Sequence, residues 1–318
     1  MRITVVGPGR WGSFIAWYLD RAGHDVTLYG REGSRSLAQF EKDRTNGLIT
    51  LPDRICLSSR LDAFAKQDII VISIASQSLR AFLQTLPLDS LRDKPFVLCM
   101  KGLEMGSGKR LSQVAREELP ESAHIAVWLG PGHVQEFYAG VPNCMVIDSE
   151  EDAFKRYLVE EFSSDLIRFY YGTDLIGNEI GAASKNVIGI AAGMLDGFHL
   201  STLKGALMSR GTREIARLIK AMGGSELSAY GLCHLGDYEA TVFSAYSHNR
   251  LFCERYVQGK PYDQLAEGYY TVKALMDLEA RYHVELPICR VIYEILHEGA
   301  DPHEKLEELF ARSLKDEF

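Results

Sequence analysis

The chain has 318 residues, enough for two domains and a large buried core. Hydrophobic content of 46%, charged content of 25% and a formal net charge of −8, without runs of lysine or arginine, describe a globular protein and argue against a nucleic-acid surface. No apolar run approaches the roughly 20 residues of a bilayer span, and six scattered cysteines with no CxxC pair suit reduced thiols in a cytoplasmic protein with no metal knot.

Residues 1–7 read as a buried strand, not as a signal peptide. Gly7-Pro-Gly-Arg-Trp-Gly12 follows, then a helix to about Arg21, then a turn and second strand over 23–31. That context is what the GxGxxG pattern requires for a dinucleotide. Gly7 permits the turn, Gly9 admits a pyrophosphate to the backbone, and Gly12 lets helix and strand pack closely. The helix N-terminus then offers its N–H groups to the phosphates. The second strand ends Tyr29-Gly-Arg31-Glu32. Arg31 can pair with a 2′-phosphate, which favours NADP; with Arg31 facing solvent, Glu32 would bond the ribose hydroxyl of NAD.

Further strands are expected at 68–74, 95–100, 124–129, 143–148 and 166–171, with helices at 78–86, 110–119 and 151–162. The alternation predicts an α/β fold, a Rossmann-type doubly wound parallel sheet over residues 1–174. Two strand tips carry chemistry: Lys101 after one, Gly130-Pro-Gly132-His133 after another. A lone tip lysine is more often a solvated charge, but loops at such tips are where function concentrates.

From 175 to 318 the pattern predicts an all-helical domain, with helices at 178–196, 204–222, 265–282, 287–298 and 301–315. The first of these is its centre. Val187 to Leu195 carries no polar side chain, as in a helix buried all round. Lys185 and Asn186 precede that run. A lysine there must snorkel, pair with an acid or lose its proton. The small residues Gly181, Ala182, Ala183, Gly189, Ala191, Ala192 and Gly193 keep the helix thin, so that a backbone or flat ligand can come close.

Several blocks are familiar together: Gly7-Pro-Gly-Arg-Trp-Gly12, Met100-Lys-Gly-Leu-Glu104, Gly130-Pro-Gly-His-Val-Gln-Glu136, Ser184-Lys-Asn-Val187, Ser209-Arg-Gly-Thr-Arg-Glu214, His234-Leu-Gly-Asp237, Ser247-His-Asn-Arg250, Leu265-Ala-Glu-Gly268 and Glu285-Leu-Pro-Ile288. In this order and spacing the chain resembles the bacterial-type NAD(P)-dependent glycerol-3-phosphate dehydrogenase family over nearly its full length. The resemblance implies Lys185 as acid–base, Asp237 beside it, and Lys101 in contact with substrate and nicotinamide. Gly130, Gly132, Asn186, Thr241, Ser247, His248 and Asn249 would serve a small phosphorylated substrate. Gly7, Gly9, Arg10, Trp11, Gly12, Arg31, Lys101, Val134 and Glu267 would serve the cofactor, NADP by preference or NAD. A cytoplasmic homodimer is the family analogy.

Three departures fall on the substrate side. The family's Arg-Asn is His248-Asn249 here, its Gly-Asp-Asn is Leu200-Ser201-Thr202, and its Gly-Pro-Ser/Thr-Phe is Gly130-Pro-Gly132-His133. The expected activity is reduction of dihydroxyacetone phosphate to sn-glycerol 3-phosphate, for phospholipid precursor supply. A drifted substrate, phosphorylated or carboxylated, and a dinucleotide sensor without catalysis are the rival readings. Lys101, Lys185 and Asp237 together argue against the sensor.

Overall fold

The computed structural model describes residues 1–311. Its contacts divide the chain into two compact units. One comprises Met1–Lys101 and Arg110–Glu179; the other comprises Gly102–Lys109 and the chain from Ile180 on.

The first unit alternates strands and helices: β1 (Arg2–Val6), α1 (Arg10–Arg21), β2 (Asp25–Tyr29), α2 (Arg35–Asp43), β3 (Cys56–Ser58), β4 (Ile69–Ile72), α3 (Leu79–Leu83), β5 (Pro95–Leu98), α4 (Leu111–Glu118), β6 (His124–Leu129), α5 (Val134–Tyr138), β7 (Asn143–Asp148), α6 (Asp152–Phe162) and β8 (Ile167–Tyr171). The sheet order is β3-β2-β1-β4-β5-β6-β7-β8, the doubly wound pattern. β4 is buried at all four positions, as a parallel strand covered on both faces must be.

Two features of the sheet depart from the sequence reading. β3 is an additional edge strand of three partly exposed residues, too short to leave a periodic signal. β7 runs antiparallel to β6, with Val127 opposite Asp148, so the sheet is mostly parallel. A parallel return needs a long crossover, and the connection here holds only the five-residue α5.

A buried ion pair closes the first unit. Arg110, ahead of α4, donates to Glu179 at 2.6 Å, and the same carboxylate accepts from the Ser112 amide at 2.9 Å and the Ser112 hydroxyl at 2.5 Å. Arg110 and Glu179 are 8% and 5% exposed.

The second unit is helical. Its helices are α7 (Leu175–Gly197, of which Ile180 onward belongs here), α8 (Lys204–Ala221), α9 (His248–Val257), α10 (Glu267–Tyr282), α11 (Pro287–His297) and α12 (Pro302–Phe310). The part of the final expected helix beyond residue 311 lies outside the described residues. Val187, Ile188, Ile190, Ala192 and Met194 are all sealed from solvent, so α7 is the buried axis its composition predicts. Its glycines are where neighbours touch. A Cβ on Gly193 would stand 2.0 Å from the Arg250 carbonyl oxygen, and one on Gly197 would stand 2.2 Å from a Val257 methyl. Fully buried Glu214 on α8 accepts from the Ile288 and Cys289 amides, two N–H groups that the start of α11 would otherwise leave unpaired. No described helix is long and apolar enough to cross a membrane.

Candidate active site

In the first unit the glycine turn joins β1 to α1. Gly7 has φ +104°, and a Cβ there would stand 2.2 Å from the Ser73 carbonyl oxygen. A Cβ on Gly12 would stand 1.9 Å from the Gly7 oxygen. Both positions exclude any side chain. Gly9 differs: a Cβ there meets nothing within 4 Å. Gly9 is also the N-cap of α1 and has no side chain to occupy the helix's first N–H groups. Open space over uncapped amides is the form of a pyrophosphate cradle, so these residues fit a dinucleotide.

Arg31 lies exposed just beyond β2, on the strand paired in register with β1, where Tyr29 faces Val6. The turn thus stands beside the arginine expected to choose between NADP and NAD. Arg10 donates to Gln135 at 2.9 Å. Trp11 is half-buried against Phe14 and Phe137, with ring centroids 5.1 and 6.2 Å away. Val134 opens α5 with its side chain buried in the core, so only its backbone can face a ligand.

At the neighbouring tips of β5 and β6, the Lys101 ammonium donates to the Gly130 carbonyl. Gly130 and Gly132 have φ of +127° and +140°, a left-handed turn suited to glycine. A Cβ on Gly132 would stand 2.1 Å from the Phe137 ring.

The second unit gathers the other candidates. Lys185 does not snorkel: it is 7% exposed and pairs with an acid. Its ammonium lies 2.8 Å from Asp237 Oδ2 and donates to Thr241 Oγ1 at 2.8 Å. Thr241 passes its own proton to the Asp237 carbonyl oxygen at 2.7 Å, which leaves its oxygen to accept from the lysine. Asp237 ends a short 3₁₀ turn (Leu235–Asp237), and Thr241 sits in a π-helical turn over Glu239–Phe243. A π-helical turn is rare and occurs frequently at functional sites. A Cβ on Gly189 would stand 2.7 Å from the Thr241 methyl, so the thin face of α7 admits this turn.

Asn186, next to Lys185, accepts from Asn249 Nδ2 at 3.0 Å, and Asn249 accepts from the Gly268 amide at 2.9 Å. This chain ties α7, α9 and the first turn of α10, where half-buried Glu267 lies. Ser247 caps α9. His248 follows it, with Nδ1 2.6 Å from the Tyr262 hydroxyl.

The segment that departs from the family pattern, Leu200-Ser201-Thr202, opens another 3₁₀ turn. There Ser201 donates to Asp196 at 2.8 Å. Lys204 and Arg250 each reach Asp196 at 2.7 Å. Burial works to raise the Asp196 pKa, but the bonds from Lys204, Ser201 and Arg250 outweigh it and hold the carboxylate below its usual range.

Sequence reasoning missed two residues of this region. His234 and Tyr238 are fully buried on either side of Asp237 and hydrogen-bonded to each other at 2.7 Å. Their i, i+4 spacing was the available signal.

Comparison with known proteins places the whole chain. Models described as the NAD-dependent glycerol-3-phosphate dehydrogenase N-terminus and C-terminus match residues 2–155 and 174–307. Proteins named glycerol-3-phosphate dehydrogenase (NAD(P)+) from Pelodictyon phaeoclathratiforme and Prosthecochloris aestuarii are 33% and 34% identical over 100% of this chain, covering 99% and 100% of their own lengths. The crystal structure of glycerol-3-phosphate dehydrogenase from Coxiella burnetii superposes with a TM-score of 0.88 at 27% identity, over 98% of this chain and 99% of that one. D-mandelate dehydrogenase with NADH shares the fold alone: its TM-score is 0.65 at 15% identity, over 94% of this chain and 98% of that one.

Proposed function

Since this chain belongs to the NAD-dependent glycerol-3-phosphate dehydrogenase family, we propose that it reduces dihydroxyacetone phosphate to sn-glycerol 3-phosphate with NADPH or NADH. The observation that carries the reading is the buried Lys185 ammonium held by Asp237 and Thr241. Ketone reduction needs a hydride at carbon and a proton at oxygen. A reduced nicotinamide supplies the hydride when bound.

The chain's own residues do the rest. Lys185 gives its proton to the substrate oxygen. Asp237 stabilises the ammonium before transfer, and Thr241 fixes its direction. Asn186 and Asn249, locked to each other, offer amide groups to the substrate's one hydroxyl, while Ser247 and His248 receive the phosphate. Lys101 at the tip of β5 supplies a cation for a phosphate ester. Gly9 and the open α1 terminus hold the dinucleotide phosphates. The same reading carries a cytoplasmic homodimer.

The test is a substrate panel with the purified protein and both cofactors, read as loss of reduced-nicotinamide absorbance. Turnover of dihydroxyacetone phosphate, above any unphosphorylated ketone or 2-oxo acid, supports the proposal. Turnover confined to oxo acids ends it.

Cofactor choice has its own test. The exposed position of Arg31 beyond β2 predicts a preference for NADPH. Arg31→Ala should weaken NADPH binding about 10-fold, the loss of a charge-assisted bond near the surface. NADH affinity should barely change. Dissociation constants from fluorescence titration decide it: equal losses would place Arg31 on the adenine or in a purely local role.

A further inference from the structure

Asp237 lies between two side chains whose hydrogen bonds are fully assigned by chemistry. The Gly181 carbonyl can only accept, and it lies 2.8 Å from His234 Nδ1, so that nitrogen carries the ring proton. His234 Nε2 is then an acceptor, and the Tyr238 hydroxyl 2.7 Å away must donate to it. The Tyr238 oxygen accepts in turn from Thr212 at 3.4 Å. The chain runs from Thr212 on α8 through Tyr238 and His234 to the backbone of α7, one helical turn before Lys185.

Every link is buried: His234 and Tyr238 are 0% exposed and Thr212 is 2% exposed. Burial lowers the His234 pKa to about 4, with nearby Lys185 acting in the same direction, so the ring stays neutral in ordinary buffers. Burial also raises the Tyr238 pKa. The charged and titratable groups facing the chain are Lys185 and Asp237 at His234, and Glu214 and Cys289 at Tyr238.

Both ends of the site hang on this chain. The Asp237 amide donates to the His234 carbonyl at 3.0 Å, and the Thr241 amide donates to the Tyr238 carbonyl at 3.0 Å. Space is shaped for it as well: a Cβ on Gly181 would stand 3.0 Å from the His234 Cβ. The ring reaches α7 closely because position 181 has no side chain.

We propose that His234 and Tyr238 are positioning residues, whose neutral hydrogen-bond chain pins Asp237 and Thr241 against Lys185 on α7. They do not touch the reacting atoms. The inference rests on the reading of Lys185 as proton donor.

Tyr238→Phe is the sharpest test, since it removes one hydroxyl and keeps the ring that fills the core. The expected result is a kcat for dihydroxyacetone phosphate reduction lowered about 10-fold by slight misplacement of the proton donor. KM, dinucleotide affinity and far-UV dichroism should stay close to wild type. The alkaline limb of the kcat profile should move to lower pH, because a less firmly placed carboxylate favours the ammonium less.

His234→Asn is the second variant. It keeps a donor for the Gly181 carbonyl but presents nothing in place of Nε2 to Tyr238. It should reproduce the effect, and the double variant should be little worse than either single one, as for members of one unit. A folded Tyr238→Phe or His234→Asn protein with wild-type kcat and pH profile overturns the proposal. So does failure of both variants to fold, which assigns the pair to stability alone. Lys185→Ala run alongside separates the two readings: if it retains turnover, the proton-donor assignment has failed; if it is dead while Tyr238→Phe is normal, only the positioning role has.

Discussion

Lys185→Ala is expected to lower kcat for ketone reduction by roughly 10²–10⁴-fold, the range for losing a positioned proton donor. NADPH binding should stay near normal, because the glycine turn proposed for the dinucleotide phosphates belongs to the first unit and Lys185 to the second. The lysine is 7% exposed and bonded at 2.8 Å to both Asp237 and Thr241, so water does not replace it without rearrangement. The substitution also leaves Asp237, itself 0% exposed, as a buried carboxylate without its cation. Removing one partner of such a pair costs about 3–5 kcal/mol. Rates must therefore be taken below the variant's own melting transition. Lys185→Arg keeps the charge and should still fail, since a guanidinium does not release its proton in this range. Steady-state kcat and dinucleotide titration on folded protein are the measurements. More than about a tenth of wild-type kcat in Lys185→Ala would remove the lysine from the proton-transfer role.

The second large effect is on stability. Glu179→Ala should destabilise the first unit by about 3–5 kcal/mol, because it takes the carboxylate from the buried Arg110 guanidinium and the acceptor from the Ser112 amide. Glu179→Gln is no remedy. An amide keeps one acceptor but turns an NH2 group toward the Arg110 guanidinium or the Ser112 amide, both of which can only donate. Replacing both charges, Arg110→Met with Glu179→Leu, should recover much of the loss, as apolar replacement of a whole buried pair often does. Denaturant midpoints of the four proteins check this. Equal midpoints for wild type and Glu179→Ala would show that the pair is hydrated in solution.

Legibility in the sequence followed burial. β1, α1 and β2 were plain because Gly7, Gly9 and Gly12 each answer a local steric demand that three residues suffice to encode. α7 was plain because its apolar run is buried all round. α2 buries only Leu37 and Phe40, and α9 only Cys253, so neither carries a stripe to read. The antiparallel β7 followed from a short connection, which periodicity does not reveal. Within the site, the pairing of Lys185 with Asp237 joins positions 52 apart and could be anticipated only through resemblance to a family. The Tyr238–His234–Gly181 chain was not legible because its far end is a backbone carbonyl 53 positions away, which leaves no mark on the side-chain pattern.

The contact between α7 and α9 bears on how this enzyme can change. What stands in the way of a methyl group at Gly193 is the carbonyl oxygen of Arg250, a main-chain atom common to all twenty residue types. No substitution elsewhere trims a carbonyl, so a mutation at Gly193 has no second-site suppressor among side chains. Gly211 is a softer case: the nearest obstacle is a terminal methyl of Ile188, 2.8 Å from the added Cβ, and a smaller residue at 188 restores the room. Lineages can therefore drift at position 211 in step with 188 while position 193 stays fixed.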